Sequence, residues 1–233
     1  MLCSNDDFSE NYCIEELSSA DTLTVSELYQ SVSESVPYGF LASRNREDFA
    51  EALSDPSRVV AVGVRYGRQL VAYSICRYSE KNPYSRHFIL DNLFENGGPI
   101  YVGMGTVVLP KHEGKLLMAR MLKLRADLLK ERAARNVVGL VAVENLPSMV
   151  SILRANGLFV GFHRDETSLN YVAVGGGEES GIMLGKVNEI ATIDDLDSQS
   201  QLFSQGLVGH KIERLADGRR NLVFCNPLIL DEQ

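Results

Sequence analysis

The chain has 233 residues, a formal net charge of −8 and four cysteines with no CxxC pair among them. That length suffices for a real core, the charge argues against general nucleic-acid binding, and the cysteine pattern signals neither a zinc site nor a disulfide framework, so no metal is expected. No run approaches the roughly 18 apolar residues that a spanning helix needs, and the start (MLCSNDDFSENYC) is acidic where a secretory signal is basic then apolar, so a soluble cytoplasmic protein is expected.

In chain order, Ile14 to Leu17 reads as a first strand. Thr24 to Ser35 reads as a helix with no obvious cap at Ala20 or Asp21, and Pro37, Tyr38 and Gly39 break it. Arg44 to Leu53 is a second short helix, ended by the turn at Asp55 to Ser57. Arg58 to Tyr66 and Gln69 to Tyr78 are β-rich runs around Gly67 and Arg68, which predicts a hairpin. The connection from Ser79 to Pro99 is about 20 residues long, and loops of that length usually serve function. Ile100 to Leu109 is a buried strand in which Gly103 and Gly105 signal either a bulge or loose packing under a large neighbour.

Pro110 to Lys115 (PKHEGK) forms a turn into a basic helix from Leu116 to Arg135. Leu117, Met121, Leu124 and Leu128 give that helix an apolar stripe, and its cations from Lys123 onward, Arg125 included, read as a solvated face. Val137 to Val143 is a second buried strand, and Asn145 opens a helix that ends near Asn156 and Gly157. Leu158 to Arg164 and Ser168 to Val174 form a hairpin turning at Asp165 to Thr167, and Gly175 to Gly177 make a flexible seam. Residues 1–174 are therefore expected to be the main domain. Residues 175–233 are a C-terminal extension, with a helix from Ile193 to Gln205 and a hairpin of Lys211 to Leu215 and Asn221 to Phe224, joining the same sheet or standing apart. No repeat of fixed period is read along the chain.

The segment from Ile100 to Gly157 carries the chemistry. A helix beginning in a sharp loop after a strand presents unpaired amides and the positive end of its dipole, which favour an anion. Lys111 and Lys115 stand where such an anion would lie. A helix linking two buried strands implies a right-handed crossover, with ligands gathering at the strand C-termini. That places Val107 to Leu109, the loop and Asn145 on one rim.

Order, lengths and spacings here resemble the GNAT superfamily of acyl-CoA-dependent N-acyltransferases. The similar parts are the strand ending Val107-Val108-Leu109-Pro110, the loop and long helix, the strand VVGLVAV, Asn145-Leu-Pro-Ser148, and Asn156-Gly157-Leu158-Phe159. The resemblance implies a mixed α/β architecture with a mostly antiparallel twisted sheet flanked by helices. It implies acetyl-CoA or another acyl-CoA, held by Val107, Val108, Lys111, Gly114, Lys115, Leu116, Asn145 and Ser148. Tyr38, Phe40, Tyr84, His87 and Asp91 would line the acceptor side, for a small-molecule or protein amine; a homodimer stays open. Asn145 serves equally as a helix cap.

Two departures bear on the reaction. The family's pyrophosphate loop runs Arg or Gln, then Gly-x-Gly-x-Gly or Ala, whereas Glu113-Gly114-Lys115-Leu116-Leu117-Met118 keeps only Gly114. Its strand before the loop holds no carboxylate, and Ile152 stands where a tyrosine acid is common. Glu144, Tyr101 and His112 are the candidate catalytic groups, although Tyr101 reads first as a core or interface residue and His112 as a surface one. Direct attack of a neutral amine on the thioester is the alternative to a dedicated base. Related acyl-homoserine-lactone and N-acyl amino acid synthases also carry weakened glycine loops and take acyl-phosphopantetheine from acyl carrier protein, which a basic helix suits. A GNAT-shaped module that only senses a ligand or binds a protein is the third reading.

Overall fold

The apolar runs at Val59–Val64 and Leu70–Cys76 are buried without a break. A strand with no solvent-facing side must be covered on both faces, and here helices supply both covers. The structure, a computed structural model, describes residues 11–80, 84, 90–91, 100–132, 134, 136–165, 168–175, 182–185 and 189–229. His87 and two of the seam glycines, Gly176 and Gly177, lie outside the described residues. The described chain clusters into two compact units, one within Met1–Tyr78 and Val102–Arg132, the other within Ser79–Tyr101 and Ala133–Gln233.

In the first unit the strands are β1 (Tyr12–Glu16), β2 (Val59–Tyr66), β3 (Gln69–Ser79, up to Tyr78) and β4 (Ile100–Val108, from Val102 onward), hydrogen-bonded in that order. β1–β2 and β2–β3 are antiparallel, and the β2–β3 turn passes through Gly67 at φ +61°. Helices α1 (Thr22–Ser33) and α2 (Arg46–Ser54) cover one face, where Val25, Leu28 and Phe49 pack with Val59, Ala61, Tyr73 and Ile75. Helix α3 (Leu117–Glu131) covers the other, where Leu117 and Met121 pack with Val62, Val64 and Ala72. Asp21 makes no side-chain cap on α1, as expected, but Ser18 and Asp21 form a reciprocal capping box on a short 3₁₀ turn (Ser19–Asp21) that runs into the helix. α3 stops at Glu131 rather than at Arg135.

The second unit holds β5 (Asn136–Ala142), α4 (Leu146–Arg154), β6 (Leu158–Arg164), β7 (Leu169–Gly175), β8 (Ile182–Leu184), β9 (Glu189–Thr192), α5 (Leu196–Ser204), β10 (Val208–Arg214), β11 (Arg220–Cys225) and β12 (Pro227–Ile229). Its sheet runs β5-β7-β6-β10-β11-β9, and β8 with β12 makes a separate two-stranded sheet. The short strands β8, β9 and β12 are absent from the sequence reading.

The expectation of no internal repeat is wrong. The succession strand, helix, strand, strand occurs twice, 50 positions apart, as β5-α4-β6-β7 and β9-α5-β10-β11. Asn145 caps the first helix by accepting from Ser148 N (3.2 Å), and Asp195 caps the second by accepting from Ser198 N (3.0 Å). Asn156 (φ 59°) and Gly206 (φ 82°) end the two helices in the left-handed conformation. The β6–β7 ladder slips between Phe159 and Gly161, and the β10–β11 ladder slips between Gly209 and Lys211. The two copies meet where β6 pairs antiparallel with β10, through Phe159 and Gly209, which are themselves equivalent positions. Each helix packs on the other copy's strand, α4 on β10 and α5 on β6. The arrangement is a two-fold within one chain, and both copies feed one core of Phe159, Tyr171, Leu222 and Phe224 with Met149.

Candidate functional site

After β4, Leu109 N donates to Val71 O (2.8 Å) and Pro110 opens a single 3₁₀ turn (Pro110–His112). The chain then turns through Gly114 (φ 75°) and Leu116 (φ 59°) before α3 begins. A left-handed leucine costs on the order of 1–2 kcal/mol, so surrounding structure holds this loop in a strained shape. A Cβ on Gly114 would have nothing within 4 Å, so this glycine is required by conformation, with open space around it. No side chain caps α3, whose first-turn amides precede the bond from Arg120 N to Leu116 O (3.1 Å). Those amides are left to a ligand or solvent.

The loop's cations are already engaged. Lys111 Nζ donates to Gln69 Oε1 (3.3 Å), and Lys115 Nζ donates to the Tyr12 hydroxyl (2.7 Å) while lying 5.1 Å above its ring centroid. His112 is not a surface residue: it is 5% exposed, with Nδ1 2.6 Å from the Tyr12 hydroxyl and its ring 5.3 Å from that of Tyr66. The Tyr12 hydroxyl thus ties Lys115 and the His112 Nδ1 to β1, and leaves Nε2 as the other nitrogen of the ring. That Nε2 is buried with no partner among the described residues. Burial, then Lys115 and Lys111, push the His112 pKa below its ordinary 6.5.

On the other side of the first unit, Gly105 at φ 144° takes β4 out of regular extended geometry, in the manner of a bulge. Met104 and Val107, three positions apart, therefore pack into the same apolar cluster. Arg44 Nε donates to Met104 O (2.8 Å) beside that bulge, and Arg44 N donates to the Tyr29 hydroxyl (3.2 Å), which itself donates to Ala42 O (2.8 Å). Tyr73 is buried near this group, and burial raises its hydroxyl pKa. In the same α1–α2 connection Tyr38 is 88% exposed and Phe40 half-buried.

Arg125 departs most from the sequence reading. It is no part of a solvated face but is 9% exposed, in a buried stripe of Leu117, Met121, Arg125 and Leu129. Its Nη1 donates to Ser74 Oγ (2.8 Å), and Ser74 Oγ lies 2.8 Å from Thr106 Oγ1 on β4. Arg125 Nε has no partner among the described residues, and burial lowers the guanidinium pKa. Neither Arg44 nor this group carried a signal in the sequence, since charged residues in a stripe or loop are usually exposed.

In the second unit Tyr101 is buried and Glu144 exposed. Asn145 spends its side-chain oxygen on the Ser148 amide, Tyr84 lies 5.4 Å from the His163 ring, and Asp91 is exposed.

No protein-family model and no curated protein matches the chain. Solved structures do. The ribosomal-protein-S5-alanine acetyltransferase from Vibrio fischeri superposes with a TM-score of 0.54 at 12% identity, covering 73% of this chain and 96% of that one. A GNAT-family acetyltransferase from Streptococcus pneumoniae gives 0.52 at 11% identity (70% and 98% covered), and Arabidopsis thaliana NAA60 in complex with acetyl-CoA gives 0.53 at 12% (70% and 97%). The chain has the GNAT fold.

The expected mixed α/β architecture with a mostly antiparallel sheet and flanking helices is thus borne out. At these identities the likeness is one of fold, and the roles of side chains rest on their own geometry. Within the GNAT fold of this chain, β4 from Val102 onward and the start of α3 belong to one unit. No helix of the described residues is long and apolar enough to cross a membrane.

Proposed function

We propose that this protein is an acyl-thioester-dependent N-acyltransferase, with acetyl-CoA as the simplest donor and an amine as acceptor. The observation that carries the reading is the start of α3: a strained loop with Gly114 and Leu116 left-handed, opening a 15-residue helix that no side chain caps. Such a terminus suits the pyrophosphate of CoA, and strain is retained where a ligand repays it. The structures that share the fold include one in complex with acetyl-CoA. Lys111 and Lys115, on exposed stems, would turn from Gln69 and Tyr12 toward the phosphates, and the backbone of β4 at Val107 and Val108 would take the thioester arm.

Chemistry then needs little from side chains. The amine nitrogen attacks the thioester carbonyl, β4 amides stabilise the oxyanion, the C–S bond breaks with its electron pair on sulfur, and the ammonium loses its proton to solvent. His112, neutral and buried, suits support of the loop better than a base; Tyr101, equally buried, suits the core. Tyr38 and Phe40, with Arg44, would line the acceptor side.

A second reading is favoured by Leu116, whose side chain is 48% exposed at the loop where small residues would admit a nucleotide. It takes acyl-phosphopantetheine from a carrier protein. Calorimetric titration with CoA, acetyl-CoA and phosphopantetheine separates the two. Acetyl-CoA binding that Gly114→Val weakens by about tenfold or more, because a β-branched residue resists φ near +75°, supports the first. Pantetheine binding as tight as that of CoA supports the second. Absence of binding by all three would leave a GNAT-shaped module without this chemistry.

A further inference from the structure

We propose that Thr106 is the hydrogen-bond donor this chain presents to the sulfur of the thioester, polarised through Ser74 by the buried guanidinium of Arg125. The inference rests on the acyl-thioester reading above and adds to it the group that meets the leaving thiolate.

The direction of the chain follows from counting donors and acceptors. Arg125 has only donors, so Ser74 Oγ accepts from it at 2.8 Å. Ser74 is fully buried, and Thr106 Oγ1, at 2.8 Å, is the acceptor in reach of its hydroxyl hydrogen among the described residues. Thr106 Oγ1 therefore accepts from Ser74, and its own hydrogen is free to point onward. Arg125 and Ser74 are buried, whereas Thr106 is half-buried, so the chain of donors runs from the interior toward a less buried residue. It ends on β4, one residue past the Gly105 bulge. Val108, two residues on, packs with the α3-face cluster, which places Thr106 and Val108 on the same face of the strand.

A cation is costly to bury without a carboxylate, and no acid is paired with Arg125 among the described residues. An arginine kept there for packing alone would be replaced at no loss by an apolar residue of its size. What the charge does is strengthen each donor in the series, which matters when the last one meets an atom that becomes negative. Acyl transfer from a thioester creates such an atom: the sulfur leaves with the bonding pair as a thiolate. Thr106 donates a hydrogen bond to it without giving up its proton, and the thiolate takes a proton from water on release.

Free CoA stands for that product, so binding tests the proposal without an acceptor. A thiol ionises with a pKa of about 8.5, and a donor aimed at sulfur lowers it in the complex. Affinities for CoA and for desulfo-CoA, which lacks the thiol, are compared calorimetrically from pH 7 to 9.5. For the wild type the CoA-to-desulfo-CoA ratio is expected to rise about tenfold across that range, to stay flat in Thr106→Val and Arg125→Met, and to rise again in Thr106→Ser. Arg125→Met removes an unpaired buried charge and is expected to keep the thermal midpoint; should it fail to fold, Thr106→Val and Thr106→Ser decide alone. A wild-type ratio that is flat, or a rise that Thr106→Val retains, overturns the inference while leaving acyl-CoA binding intact. Binding of neither ligand overturns both.

Discussion

His112 stands between the exposed Lys111 and Glu113, yet its ring is enclosed by Tyr12 and Tyr66. Protonating it would place a cation in a buried pocket beside Lys115, so the folded chain keeps it neutral to lower pH than the unfolded chain does. His210 is shifted the same way by burial and then by Lys211. The unfolded rings take up protons as pH falls through 6.5 while the folded ones do not, so the stability they contribute above that value is lost toward the folded pKa. The thermal midpoint is expected to fall between pH 7.5 and 5.5, and the fall to be shallower in the double variant His112→Gln, His210→Gln. An equally steep profile in that variant would assign the loss to other groups. The same residue scale limited what the sequence revealed. Gly105 was legible because a glycine pair inside a strand has few structural meanings, whereas Arg125 was not, because a cation in an otherwise apolar stripe looks like part of the charged face next to it.

Elements were legible where periodicity was long enough to see. The β2–β3 hairpin and α3 each span many residues of one pattern, while β8, β9 and β12, of three or four residues, show none. Caps divided the same way. Asn145 before Leu146-Pro147 is a visible signal, but Ser18 acts on a 3₁₀ turn ahead of the helix and so escaped notice. Among the buried positions at which the second copy of the βαββ element departs from the first, Gln199 stands where Met149 does. Its Nε2 donates to Thr192 O (2.8 Å) and Ile193 O (3.0 Å), and its Oε1 accepts from the Tyr171 hydroxyl at 2.6 Å. Gln199→Met, which restores the first copy's residue, would strand the Tyr171 hydroxyl and take a donor from the Ile193 carbonyl, while Thr192 O keeps its bond from Asp195 N (3.1 Å). A loss of roughly 1–3 kcal/mol is expected in denaturant unfolding, from the desolvation of groups left unpaired. No loss would mean that water or a shifted neighbour satisfies them, and that the polar tie is dispensable.

Across the molecule, the duplication explains why the tail is not an appendage to the second unit. The aligned copies share few identities, among them Leu146 with Leu196, Ser148 with Ser198 and Arg164 with Arg214, too sparse for a repeat to be read from residue types. What is repeated is geometry: the cap, the left-handed helix end, the slipped ladder and the pairing of Phe159 with Gly209. A β-strand edge left open invites pairing with another chain, and here the second copy closes the β6 edge of the first. The aromatic side chains cross that seam, since Phe203 of the second copy lies 5.2 Å from Phe162 of the first and 5.1 Å from Phe224 of its own. Because the copies share one core, they are expected to unfold together. Phe224→Ala, which empties a fully buried site, should cost about 3–5 kcal/mol and lower amide-exchange protection in β7 as much as in β11. Loss confined to β9, β10 and β11, with β7 still protected, would show instead that each copy holds its own stability and that the shared aromatic core is contact without coupling.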